Sequence, residues 1–86
     1  MLLALDIGNT NITFGIFQND TLIDTWRIST DHSRTSDEYA AQIMQILNFK
    51  NIDVSGITKT CICSVVPPLT PTFVEICESY LSSVPV

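Results

Sequence analysis

One segment near the N-terminus carries most of the side chains that could bind a charged ligand. It consists of Asp6, Ile7, Gly8, Asn9, Thr10, Asn11, Ile12 and Thr13. Glycine lets the backbone approach a ligand closely, and turn N–H groups together with Asn and Thr side chains can donate to phosphate oxygens. An ionised Asp6 only accepts hydrogen bonds, which suits a carboxylate associated with Mg²⁺, the metal that normally accompanies a nucleotide triphosphate. One interpretation of the segment is therefore a site for nucleotide phosphates.

The same segment has a simpler interpretation as a β-hairpin turn, because its residue types are common in such turns. It contains no Lys or Arg, so the charge of a phosphate would be neutralised by the metal and by backbone dipoles. It also lacks the spacing of a Walker A loop and of a dinucleotide-binding GxGxxG motif. Spacing alone leaves the phosphate site and the plain hairpin as alternatives.

Strands are predicted on both sides of this turn. The apolar run 2–6 predicts a buried strand that ends at Asp6, and Ile12 to Phe17 predicts a second strand that pairs back on it. A reversal at Asn19-Asp20 leads to a third strand from Thr21 to Ser29. These three strands predict an antiparallel meander.

Two amphipathic helices and a fourth strand are predicted to follow. Thr35-Ser36-Asp37-Glu38 has the form of a capping box, so a helix begins there. The β-branched stretch from Ile57 to Val66 predicts the fourth strand. Thr70 followed by Pro71 predicts the N-cap and first turn of a second helix, which ends near Ser82 or Ser83.

The order β-β-β-α-β-α predicts an α/β fold, namely a ribonuclease H-like half-domain with a mixed sheet. A strand that follows a β-α connection tends to pair parallel to an earlier strand. A fifth strand is expected next, and Val84-Pro85-Val86 is a candidate for its opening. Because the chain has 86 residues, we expect one domain at most, and a sheet that lacks most of its fifth strand and leaves an unpaired edge.

Composition excludes several function classes. The chain is 45% hydrophobic and 15% charged, which is typical of a globular core. Nine acidic and four basic residues give a net charge of −5, which disfavours a nucleic-acid partner. No basic N-terminal region with an apolar run and no run of about 18 apolar residues occurs, so neither a signal peptide nor a membrane span is expected, and we expect a cytoplasmic protein.

The three cysteines, Cys61, Cys63 and Cys77, lie in apolar segments and predict buried reduced thiols. Their spacing is not that of zinc ligands.

Several separated motifs resemble those of type III pantothenate kinases in the same order. The segment from Met1 to Phe17, MLLALDIGNTNITFGIF, is similar to the opening of that family. TWRIST at 25–30, RTSDEY at 34–39, and SVVP at 64–67 with Leu69-Thr70 are similar to its successive segments. The resemblance covers nearly the whole chain, and it places the chain with the superfamily of acetate kinases, sugar kinases, heat-shock cognate proteins and actin.

The resemblance implies that the chain is the N-terminal part, residues 1–86, of an actin-like ATPase or kinase domain that is truncated. It implies phosphorylation of pantothenate by ATP with Mg²⁺ to 4′-phosphopantothenate, in coenzyme A synthesis. It also implies a potassium or ammonium ion and a homodimer for the complete protein. Residues Asp6 to Thr13 match the first phosphate-binding motif of the family, whereas the aspartate that acts as its general base lies beyond residue 86. We therefore assign no catalytic residue within this chain, and a non-catalytic remnant or regulatory binding module with the same fold remains the alternative, beside a folding module without a ligand.

Four further side chains have interpretations that involve no chemistry. Arg27 and Arg34 are interpreted as solvated surface arginines. Trp26 has no second aromatic residue and no basic groove beside it in the sequence, which indicates strand packing and not base stacking. His32 lies in a polar stretch without a carboxylate or cysteine at diagnostic spacing.

Overall fold

The computed structural model describes residues 1–86 and contains one four-stranded sheet. The strands are β1 (Leu2–Ile7), β2 (Asn11–Gln18), β3 (Thr21–Ser29) and β4 (Lys59–Ser64), in the spatial order β3-β2-β1-β4. The first three strands are antiparallel, and β4 pairs parallel to β1. The predicted meander and the predicted parallel fourth strand are therefore confirmed.

Two α-helices connect and follow β4. Helix α1 spans Ser36–Phe49, and the predicted capping box is present, because the Thr35 side chain accepts from the Glu38 N–H while the Glu38 side chain accepts from the Thr35 N–H. Helix α2 spans Thr70–Tyr80. Short 3-10 turns at Val54–Gly56 and Pro67–Leu69 precede β4 and α2, respectively.

The predicted N-cap at Thr70 is wrong. Thr70 has helical dihedral angles (φ −56°, ψ −50°), and the cap position is Leu69, whose side chain makes no capping hydrogen bond. The physical reason is that the 3-10 turn Pro67–Leu69 runs directly into α2, so the chain already curls as a helix before Thr70. The end of α2 also lies earlier than predicted, because Ser82 takes a left-handed conformation (φ 52°) that the helix cannot continue through.

The core lies between the two helices and one face of the sheet. Tyr39 of α1 and Phe73 of α2 are fully buried, and their ring centroids are 4.9 Å apart. Strand residues at every second position complete this core, as the two-residue period of a strand requires. They are Leu3, Leu5, Ile7, Ile12, Phe14, Ile16 and Ile28.

The opposite face of the sheet carries no helix of this chain. It consists of the alternate strand residues, which are exposed or partly buried, such as Ala4 and Asp6 of β1 and Thr13 of β2. We call it the open face. Cys61 and Cys63 lie there. The prediction that all three cysteines are buried is wrong for Cys63, which is exposed, and for Cys61, which is half-buried, whereas Cys77 is buried in α2. The residues around Cys63 are apolar, so the sequence does not reveal which of them face the core. The two-residue period of β4 places the Cys63 side chain on the face away from the helices.

The last residue makes two hydrogen bonds to β4. The Val86 N–H donates to the Thr60 carbonyl at 3.0 Å, and the Ile62 N–H donates to the Val86 carbonyl at 3.2 Å. These are the bonds of a parallel pair centred on Cys61. Val86 therefore lies where the predicted fifth strand would begin. No helix in the structure has the length and apolar character that a membrane crossing needs.

Candidate functional site

The turn between β1 and β2 is held by backbone contacts and by one side chain from outside it. The Gly8 N–H donates to the Asn11 carbonyl at 2.9 Å. From the end of β3, the Thr30 hydroxyl donates to the Gly8 carbonyl at 2.7 Å, and the Thr30 N–H donates to the Thr10 carbonyl at 2.9 Å. The turn is thus fixed against the neighbouring strand by Thr30, a residue that sequence reasoning did not single out.

Gly8 is closely packed within the turn. A Cβ atom at this position would lie 3.0 Å from the Asn11 carbonyl oxygen. Larger side chains would push against backbone, which yields less readily than the end of a flexible side chain. The small residue therefore allows the turn to close on itself.

The polar side chains of the predicted segment make no hydrogen bonds within the chain. Those of Asp6, Asn9, Thr10, Asn11 and Thr13 are all exposed, and none of them has a partner among the hydrogen bonds and ion pairs of the structure. The N–H groups of Asn9 and Thr10 also donate to no backbone carbonyl. Donors and acceptors are therefore concentrated at one end of the sheet and are free to meet a ligand.

Two other turns show what purely structural carboxylates look like in this chain. Asp31 accepts from the N–H and hydroxyl of Ser33, and Asp53 accepts in the same way from Ser55. These hydrogen bonds hold the pKa of both carboxyl groups below the ordinary value. Asp6 has no such local partner, so its side chain does nothing for the turn that it precedes.

The sheet register places the chemistry-bearing residues in one row across the open face. Asp6 pairs with Thr13 on one side and with Cys63 on the other, and Thr13 pairs with Arg27. Directly paired residues share a face, with Cβ atoms about 5 Å apart. The row Arg27, Thr13, Asp6, Cys63 therefore lies near the turn end of the open face, with the Asn11–Ser29 pair between it and the turn.

A shallow groove runs along the open face behind this row. It has a volume of about 340 Å³, and its lining includes Asp6 and Thr13. Its floor is made of small residues, since Ala4 pairs with both Gly15 and Cys61. A second cavity of about 360 Å³ is lined by Thr13, Thr25, Trp26 and Arg27, so Thr13 and Thr25 border both.

Two members of the predicted segment contribute no side chain to this surface. Ile7 and Ile12 pair with each other across the hairpin and are fully buried in the core. Only their backbone could take part in binding. Their burial has a consequence for the site, because it forces Asp6 and Thr13 onto the opposite face.

The donor set fits Mg²⁺ only in company with a ligand. No group of three or more His, Cys, Asp or Glu side chains lies close enough together to hold a metal ion. Mg²⁺ bound to a nucleotide needs just one or two carboxylates, because phosphate oxygens and water supply the other ligands. The exposed Asp6 carboxylate beside the turn meets that requirement.

The remaining candidates are engaged in packing or exposed. Trp26 stacks on Phe14 with ring centroids 5.2 Å apart, as its strand-packing interpretation requires. Arg34 is not simply solvated, since its guanidinium donates to the Gln42 side chain and pairs with Asp31 at 3.6 Å. His32 is exposed.

The strand order β3-β2-β1-β4, with both helices on one face, defines the ribonuclease H-like half-domain of the actin-like type. A solved structure with this fold, YeaZ from Pseudomonas aeruginosa, matches with a TM-score of 0.61 at 12% identity, over 99% of this chain and 42% of that one. The family model of type III pantothenate kinases matches residues 2–86, and the chain belongs to that family.

Curated relatives agree with this assignment. The chain is 49% identical to the type III pantothenate kinase of Finegoldia magna over 85 residues, and 42% identical to those of Geotalea daltonii and Myxococcus xanthus. These matches cover 99%, 99% and 93% of this chain. The chain spans about a third of the length of these relatives, namely 32%, 33% and 31%.

Proposed function

We propose that residues 6–13 bind the phosphates of ATP, in a chain that forms the N-terminal part of an actin-like kinase domain. The complete protein would phosphorylate pantothenate with ATP to 4′-phosphopantothenate, a step of coenzyme A synthesis. The family membership supports this reaction. The observation that carries the site is the set of free polar groups around the turn.

These free groups favour a ligand over a plain hairpin. In two other turns of this chain, the carboxylates of Asp31 and Asp53 accept hydrogen bonds from their own turn, from the N–H groups of Ser33 and Ser55. Here backbone hydrogen bonds and the Thr30 hydroxyl hold the turn. The side chains of Asn9, Thr10 and Asn11 are therefore not needed to hold it. Successive N–H groups of a turn form a concave site for an anion.

Asp6 has a role only if a cation accompanies the phosphates. Its carboxylate repels an anion, and it attracts the water molecules and ion of Mg·ATP. When bound, Mg²⁺ supplies charge neutralisation for the phosphate chain. Asp6 would orient that ion through its oxygens, while the turn donors bind the phosphates and fix their position, which is most of what phosphoryl transfer requires of a protein.

The parts of the reaction beyond phosphate binding are assigned to the longer protein. We propose that its general base, its pantothenate site and a site for potassium or ammonium lie outside these residues, and that the complete protein is a cytoplasmic homodimer. The 86-residue chain incubated with pantothenate and Mg·ATP should then form no phosphopantothenate in a coupled assay. Measurable turnover would contradict this division.

Titration of the ¹⁵N-labelled chain with Mg·ATP tests the phosphate site. We expect shifts of the amide signals of Gly8 to Asn11, with smaller changes at the opposite end of the sheet. The double variant Asp6→Ala, Thr10→Ala should lose most of this response. The matched control is Asp20→Ala, Thr21→Ala, which removes the same exposed side-chain types from the hairpin turn between β2 and β3.

Removal of Mg²⁺ with EDTA provides a second test of the phosphate site. With EDTA present, binding of ATP to the wild-type chain should weaken strongly, because Asp6 then faces the phosphates without a cation. The variant Asp6→Asn should be much less sensitive to EDTA. Equal binding of Mg·ATP by the wild type and by the Asp6→Ala, Thr10→Ala variant would refute the assigned site.

A further inference from the structure

Four basic residues are present in this acidic chain, and two of them are already paired. Arg34 lies 3.6 Å from Asp31, and Lys50 lies 3.1 Å from Asp24. Arg27 and Lys59 are exposed and take part in no ion pair. An arginine without a carboxylate partner, in a chain of net charge −5, has its guanidinium available for an anion.

The sheet register gives the two unpaired cations very different positions. Both lie on the open face, since Arg27 pairs with Thr13 of β2 and Lys59 pairs with Leu2 of β1. Arg27 is in the row that contains Asp6, beside the turn, whereas Lys59 is at the other end of the strands. Two strand spacings, about 10 Å, separate the backbones of Arg27 and Asp6.

The neighbours of Arg27 across the open face are short or exposed. Its direct partner, Thr13, is short and exposed, and beyond Thr13 lies Asp6. The cavity that Arg27 lines also contains Thr13 and Thr25. A phosphate chain bound by the turn donors and by an ion at Asp6 would thus lie on the same face as the guanidinium and within one or two strands of it.

We propose that Arg27 is a phosphate-binding residue of this site, which bonds to the phosphate chain of the nucleotide from the β3 side. The proposal rests on the proposed function, and it adds the positive charge that residues 6–13 lack. Guanidinium groups bind phosphate through two parallel N–H···O bonds, a geometry that an ammonium group does not reproduce. Arg27 and the ion at Asp6 then flank the phosphates from opposite sides.

The test compares removal of one positive charge at each end of the same sheet face. The dissociation constant of Mg·ATP is measured by NMR titration for the wild-type chain, Arg27→Ala and Lys59→Ala. We expect Arg27→Ala to weaken binding about tenfold, as loss of a charge-assisted hydrogen-bonded contact does. Lys59→Ala should change it less than twofold, because at that distance salt screens most of its charge.

Two further variants and a second probe identify the chemistry. Arg27→Lys keeps the charge and should recover binding only in part, while Arg27→Gln keeps most of the stem and should behave as Arg27→Ala does. Inorganic tripolyphosphate with Mg²⁺ should show the same ratio between wild type and Arg27→Ala as ATP shows, since the contact is to phosphate. Circular dichroism of each variant checks that the exposed substitution leaves the fold intact.

Each outcome decides between the two proposals. If the wild type binds Mg·ATP and the Arg27 and Lys59 variants bind equally well, Arg27 is only a solvated residue and the present inference is wrong while the phosphate site stands. An effect with ATP but none with tripolyphosphate would also overturn the assignment to phosphate. No binding by the wild type would refute the phosphate site, and the role of Arg27 with it.

Discussion

Replacement of Thr30 by valine should loosen the turn between β1 and β2 and lower the stability of the chain by about 1 kcal/mol. The hydroxyl of Thr30 donates to the Gly8 carbonyl at 2.7 Å, and no other group in the chain donates to that carbonyl. Valine has nearly the same shape, so the hydrogen bond is the main loss. An intramolecular hydrogen bond makes a net contribution of about 1 kcal/mol to the free energy of unfolding. Its loss costs more where the acceptor left without a donor is partly buried, as Gly8 is.

The consequence should be measurable both globally and at the turn. For a domain of this size, 1 kcal/mol corresponds to a decrease in Tm of roughly 4–8 °C. The Gly8 N–H is the one turn amide that is hydrogen-bonded, to the Asn11 carbonyl. If this N–H exchanges through local opening of the turn, its hydrogen exchange should become about fivefold faster in Thr30→Val. A factor of about five is the rate ratio that corresponds to 1 kcal/mol.

Thr35→Ala is the matched control. It removes the capping hydrogen bond to the Glu38 N–H and should cost about 1 kcal/mol as well, at the start of α1 and away from the turn. Both variants should therefore melt at similar temperatures, but only Thr30→Val should accelerate exchange at Gly8 and weaken Mg·ATP binding. Thr30→Ser keeps a hydroxyl and should restore both properties. Equal exchange at Gly8 in Thr30→Val and Thr35→Ala would refute the role given to Thr30.

Four further results are expected. In alkylation with iodoacetamide followed by mass spectrometry, Cys63 should react quickly, while Cys77 should stay unmodified until the chain unfolds, because burial both shields its thiol and raises its pKa. The folded state holds the Cys77 proton more tightly than the unfolded state, so the free energy of unfolding should decrease as pH rises above about 9, in denaturant titrations of the wild type but less so in Cys77→Ala. Phe73→Ala should lower stability by about 3–5 kcal/mol in the same titrations, since this fully buried ring joins the two helices. Gly8→Ala should reduce Mg·ATP binding more than it reduces Tm, because its Cβ disturbs the turn while the core is untouched.

Local patterns were sufficient to predict the elements of this fold. The capping box at Thr35 and the first strand depend on residues close in sequence, and the structure has both, although β1 continues one residue past the predicted end at Asp6, to Ile7. The parallel pairing of β4 followed from a general preference of β-α-β connections. Thr70 was assigned wrongly because the 3-10 turn before it mimics the start of a helix, and no short motif signals that the two are continuous.

Two residues near the candidate site that sequence reasoning missed depend on the pairing of distant residues. Arg27 comes next to Thr13 only through the pairing of β2 with β3, which also contains an irregularity between Ile16 and Phe17. Thr30 reaches the Gly8 carbonyl across 22 positions of the sequence. Neither residue carries a motif of its own. The two-residue period of β3 predicts which residues share a face with Arg27. It does not predict which residue of β2 lies opposite Arg27.

The orientation of the site is set by the hydrophobic core and not by contacts of the site residues. The side chain of Asp6 makes no hydrogen bond or ion pair, yet its direction is fixed, because Leu5 and Ile7 on either side of it are 2% and 0% exposed. A shift of β1 by one residue would bury the carboxylate and expose both apolar side chains, at a cost of several kcal/mol. Ile12 imposes the same constraint on Thr13. The side chains of the candidate site are therefore not needed to stabilise the fold. This explains how their polar groups can remain unpaired beside a well-packed core.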